Sequence, residues 1–161
     1  MAAGSSEEGS RQTLTWDEGG LRLPAWDGSG TGSVTTDPDA VLAWMQAAPC
    51  RHLPVLPLAL AWAGVLRAFA VAAVAPPGPA GSQRVADDLA AWTQARPAGP
   101  ARAGLEHLAA CARQHADGLG PRELAARLRM EALRLDKADA QAWQACATAG
   151  VTALQIGRAH V

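Results

Sequence analysis

Leu53-Pro54-Val55-Leu56-Pro57-Leu58-Ala59-Leu60-Ala61-Trp62-Ala63-Gly64-Val65-Leu66-Arg67-Ala68-Phe69-Ala70-Val71-Ala72-Ala73-Val74-Ala75 is an apolar run closed by Pro76-Pro77-Gly78-Pro79. Its length matches a bilayer crossing. Three features oppose that reading. Arg67 sits inside the run, where an arginine costs about 2.5–3.5 kcal/mol on insertion scales. Pro54 and Pro57 shorten the helix, and alanine adds little hydrophobicity. The run therefore reads as a helix buried on nearly all sides within a helical bundle, and no membrane partner is expected.

The elements on either side fit that bundle. On the N-terminal side, Thr13-Leu14-Thr15-Trp16 and Leu21-Arg22-Leu23 alternate apolar and polar residues around Asp17-Glu18-Gly19-Gly20, the pattern of a β-hairpin. Pro24 to Thr36 is rich in Gly, Ser and Thr, with a weak strand signal at Ser33 to Thr35. Asp37-Pro38 reads as an N-cap followed by proline at the first helical position. Val41, Met45 and Ala48 then repeat at helical spacing up to Pro49.

On the C-terminal side, Ser82 is expected to cap a helix carrying Val85, Leu89 and Trp92, which ends before Pro97. Leu105, Leu108 and Ala112 mark the next helix, ending near Gly118-Leu119-Gly120. Pro121 opens another with Leu124, Leu128 and Leu135, broken around Asp136-Lys137-Ala138-Asp139. Trp143, Ala147 and Leu154 line a last segment. The fold class expected is mainly α, a helical bundle with a small N-terminal antiparallel β-hairpin or sheet.

Composition narrows the function classes. The 161 residues are 49% apolar and 18% charged with a formal charge of −1, which suits a globular domain and gives no electrostatic reason to expect nucleic acid. Alanine dominates, while Lys137, Phe69 and Ile156 are each the sole residue of their type. That bias fits a GC-rich coding sequence. Residues 1–12 are Gly, Ser and Glu rich and are expected to be disordered. The domain is expected to span 13–155. Ile156-Gly157-Arg158-Ala159-His160-Val161 resembles the translation of a sequencing adapter and is expected to be a library scar. Cys50, Cys111 and Cys146 are too few and too dispersed for a disulfide framework or a zinc site. With no signal-peptide pattern, a cytoplasmic location is expected.

No self-sufficient catalytic motif is present: there is no phosphate-cradling glycine loop, nucleophile elbow or metal cluster. His52, His107 and His115 are scattered and read as surface or satisfied histidines. Cys111 and Cys146 read as inert packing. Arg51 and Arg96 stand in turns between elements, where a guanidinium can offer a bidentate fork to phosphate or carboxylate.

The order of motifs resembles the N-terminal half of methylthioribose-1-phosphate isomerase, a relative of the regulatory subunits of translation initiation factor 2B. Thr13 to Leu23 is similar to the family's T-I-x-W-x-x-G-x-L-x-L hairpin. Cys50-Arg51-His52-Leu53-Pro54-Val55-Leu56-Pro57 through Ala63 aligns with V-R-G-A-P-A-I-G-x-A-A-A-Y-G. Ala95-Arg96-Pro97-Ala98-Gly99-Pro100-Ala101 aligns with A-R-P-T-A-V-N, and Leu135 to Leu154 with the family's acidic helix. The similarity spans 13–155, and its motifs are eroded. His52 and Leu53 replace Gly-Ala, Pro57 replaces a glycine, Ala101 replaces asparagine, and the L-L-D-Q segment after the hairpin is missing.

The resemblance implies conversion of 5-methylthioribose 1-phosphate to 5-methylthioribulose 1-phosphate in methionine salvage, with no cofactor and no metal. It implies a phosphorylated sugar as partner, Arg51 and Arg96 as substrate-binding residues, and a homodimer at full length. The family's catalytic cysteine and aspartate belong to a Rossmann-like C-terminal half expected beyond Gln155, so the 161-residue chain is expected to be inactive. A non-catalytic paralogue, acting as a binding or regulatory subunit, is the alternative.

Overall fold

The computed structural model describes residues 14–17, 19–26, 32–48 and 56–138. The expectations for residues 1–12, Arg51, His52, Cys50, Cys146, the Trp143–Leu154 segment and residues 156–161 fall outside them. In chain order the described elements are β1 (Thr15–Asp17), β2 (Gly20–Leu23), β3 (Ser33–Thr35), α1 (Pro38–Gln46), α2 (Leu56–Val74), α3 (Pro79–Gln94), a 3-10 turn (Pro100–Arg102), α4 (Ala103–His115) and α5 (Pro121–Ala138). The chain is mainly α with a small antiparallel sheet, as its periodicities imply.

The three strands form a meander in the order β1-β2-β3. Trp16 pairs with Leu21 and Thr15 with Arg22, so the alternation sends Leu14, Leu21 and Leu23 into the core and leaves Thr15 outside. Gly20, at φ +137°, has a backbone that L side chains rarely adopt, and a Cβ there would run into the Thr35 carbonyl. The weak signal at Ser33 to Thr35 becomes a true strand because β2 supplies its hydrogen-bond partners.

Helix α1 begins as expected. The Asp37 carboxylate accepts from the Asp39 N–H at 3.0 Å, and Pro38 occupies the first turn. Trp44 on this helix stacks on Trp26, with ring centroids 4.1 Å apart. Each indole N–H donates to backbone across the contact, Trp26 to the Trp44 carbonyl and Trp44 to that of Pro24, both at 2.8 Å. The pair straps the segment after β2 onto α1 while satisfying both polar tips.

Helix α2 is the centre of the molecule. Leu58 through Leu66 is continuously buried. All the other described α-helices and β2 pack against it. Among the described residues, no helix is long and apolar enough to cross a membrane. The helix begins only at Leu56, and Arg67 interrupts its apolar face. The Arg67 guanidinium forms a two-pronged pair with Asp88 of α3, at 2.7 and 2.8 Å. That hydrogen bond outweighs burial and raises the Arg67 pKa.

One boundary differs from the sequence reading. Helix α3 starts at Pro79 with Gly78 at its N-cap, one turn before Ser82. Ser82 is instead fully buried, and its hydroxyl donates to the Leu119 carbonyl in the α4–α5 connection. A serine at the start of an apolar pattern resembles a cap, but here proline supplies the first turn and the hydroxyl serves a tertiary contact. Helix α5 is described through Ala138, inside the Asp136–Asp139 stretch where the sequence places its end.

Two glycines mark close approaches. A Cβ at Gly81 would collide with the Pro76 carbonyl, which is backbone and cannot swing away. A Cβ at Gly64 would meet a methyl of Leu105, which can rotate. Gly81→Ala should therefore cost at least about 2 kcal/mol and Gly64→Ala less, read as a larger drop in Tm for the former in thermal melts followed by circular dichroism. A double-mutant cycle on Arg67 and Asp88 should give a coupling of about 1 kcal/mol, modest because both side chains reach water.

Candidate functional site

Helix α3 ends at Gln94, with Ala95 as its C-cap, because Pro97 cannot continue it. Arg96 is thereby placed in the turn leading to the 3-10 segment, and its backbone N–H still donates to Thr93 at 3.0 Å. Its guanidinium lies over the Trp92 ring, 4.6 Å from the centroid, and its Nε donates to the Trp92 carbonyl at 3.2 Å. Stacking and the Nε bond fix the plane of the group. Among the described residues no carboxylate pairs with it, so both Nη groups remain available to an anion.

Arg102 completes the turn. Its Nη1 donates to the Arg96 carbonyl at 2.9 Å, and its Nε donates to Glu106 at 2.9 Å. The backbone at Arg96 is therefore held from α4 by a charge-assisted bond. The sequence reading missed this positioning residue. The available signal was the spacing of Arg102 and Glu106, which puts opposite charges on one helical face. The guanidinium groups of Arg22, Arg67, Arg113 and Arg134 are each engaged by a carboxylate. Arg96 differs from them in being oriented by aromatic and backbone partners only.

The other candidates behave differently. Arg51 lies outside the described residues, so the structure does not place it relative to Arg96. His107 on α4 meets Glu131 of α5 at 2.7 Å and is half exposed. His115 is partly exposed. Cys111 is buried, and desolvation, joined by the negative charge of Glu131, pushes its thiol pKa upward. A thiol held protonated is a poor nucleophile, so Cys111 is a packing residue. Among the described residues, no cluster of three or more His, Cys, Asp or Glu side chains could hold a metal ion.

Glu131 is the most perturbed acid described. Hydrogen bonds from Arg134, then from His107, hold its carboxyl at about 2, below the ordinary 4.5. A carboxyl whose pKa is depressed on folding stabilises the fold above its unfolded value. That contribution is lost as the pH falls through the folded one. The α4–α5 contact should therefore weaken between about pH 4.5 and about pH 2. Glu131→Gln should flatten this part of a Tm-against-pH profile while lowering Tm at neutral pH.

No family model, curated protein or solved structure matches the chain.

Proposed function

We propose that the chain is the N-terminal, substrate-holding half of an aldose–ketose isomerase acting on 5-methylthioribose 1-phosphate, and that Arg96 binds the phosphate of this sugar. The observation that carries the reading is the Arg96 guanidinium, oriented by Trp92 and left without an acid partner among the described residues. Such a group gains a bidentate contact with phosphate at little further cost in side-chain order. The succession of hairpin, short helix, long apolar helix and Arg-Pro turn, which underlies the resemblance, is compatible with it.

The reaction moves a proton between adjacent sugar carbons and needs a positioned acid and base. The resemblance assigns those roles to a cysteine and an aspartate in a C-terminal half that the 161 residues do not match. This chain alone is therefore assigned binding without turnover. The second reading is a paralogue that binds a phosphorylated metabolite as a regulatory subunit. It is favoured by Ala101, which brings a methyl to the 3-10 turn where the family's asparagine would offer an amide. A threonine-histidine-cysteine motif and a downstream aspartate in a longer reading frame would select the enzyme.

Titration calorimetry of the 161-residue chain with 5-methylthioribose 1-phosphate should show saturable binding. Arg96→Gln should weaken it about tenfold or more, and Arg96→Lys should restore only part of it because the fork is lost. Isomerase assays on the same protein should show no product. Measurable turnover, absence of binding, or binding indifferent to Arg96→Gln would overturn the assignment.

A further inference from the structure

Arg96, Arg102 and Glu106 form a chain of contacts at the turn between α3 and α4. The Arg102 side chain is only 13% exposed, and its guanidinium gives Nη1 to the Arg96 carbonyl and Nε to Glu106. Glu106 is half exposed and stands in the first turn of α4. A carboxylate there offsets both the Arg102 charge and the partial positive charge of the helix start. Arg96 is engaged only by the ring and carbonyl of Trp92. The three side chains thus leave one net positive charge at the turn, and without Glu106 they would leave two.

Geometry and charge are therefore set by different residues. The bond to the Arg96 carbonyl fixes the backbone from which the Arg96 side chain springs, but a neutral acceptor does not cancel the Arg102 charge. Glu106 does. A phosphate monoester carries close to two negative charges at about pH 7.5, and a diester carries one. Coulomb energy follows the product of the charges, so a charge at the turn counts about twice as much for the monoester.

From this arrangement we infer that Glu106 is a specificity-determining residue of the Arg96 site: through Arg102 it holds the turn at one net positive charge and limits its preference for doubly over singly charged phosphates, while Arg102 positions the Arg96 backbone. The inference rests on the reading of Arg96 as a phosphate-binding residue and adds how that site ranks anions.

The test titrates methyl phosphate and dimethyl phosphate into the nitrogen-15-labelled 161-residue chain at low, constant ionic strength, followed by NMR at the Arg96 Nε–H. The parent should bind methyl phosphate in preference to dimethyl phosphate. In Glu106→Gln the amide oxygen still accepts from Arg102, so only the charge is lost. That variant should bind methyl phosphate about threefold tighter or more, gain less for dimethyl phosphate, and lose the gain at high salt. Arg102→Met should weaken methyl phosphate about tenfold. Adding Glu106→Gln to Arg102→Met should restore part of that loss, a recovery that further loss of packing cannot produce. Glu106→Gln, at a half-exposed position, decides the matter even where Arg102→Met fails to fold. The inference is overturned if Glu106→Gln binds both probes as the parent does or tightens both equally, or if a natively folded double variant binds no better than Arg102→Met. A parent that binds neither probe overturns the Arg96 reading and this inference with it. A parent whose binding responds to Arg96→Gln but not to Glu106→Gln keeps that reading and overturns this inference alone.

Discussion

A helix that is apolar on every face can be stable in water only when other elements cover it completely, and that constraint organises this protein. From Leu58 to Leu66, helix α2 carries no charged side chain and is buried throughout. Among the described residues, four helices and a small sheet surround it, and each brings a stripe rather than a full apolar surface: Val41 from α1, Val85 and Leu89 from α3, Leu105 and Leu108 from α4, Leu124 and Leu128 from α5, and Leu21 from β2. Every covering element can therefore be amphipathic while the covered one is not. Alanine and Gly64 keep the central helix slim enough for this many neighbours, which is why an alanine-rich composition is compatible with a packed interior.

The one charge in the latter part of α2 is handled by the same logic. Arg67 emerges where the cover thins, and Asp88 reaches it from the helix that follows in sequence. The charge by itself argues against membrane insertion, whereas the pairing with Asp88 arises only when α2 and α3 pack together. The Ser82 hydroxyl is comparable. Its sequence position suggests a helix cap, whereas its burial lets it tie α3 to the α4–α5 connection.

The candidate site follows from how elements end. The Arg96 turn exists because Pro97 terminates α3 one residue beyond the point where the guanidinium can still fold back over Trp92. Arg102 then fixes the turn from the start of α4. At this turn an arginine rests on a tryptophan, which orients the cation without neutralising it.

The sequence by itself determined the fold class and most element positions, because apolar periodicity and proline or glycine punctuation are local properties. The hairpin alternation, the Asp37-Pro38 start of α1 and the stop before Pro97 are all legible in consecutive residues. It also singled out Arg96 through its place beside a helix-ending proline. Only the tertiary structure decided that Arg96 is oriented by Trp92 and held from Arg102, that Ser82 is a buried tie and not a cap, and that Arg129 comes to rest on Trp16. The physical reason is sequence distance: Arg129 and Trp16 belong to opposite ends of the described chain, and no local pattern encodes a contact that closes only when the other four described helices and the sheet assemble around α2.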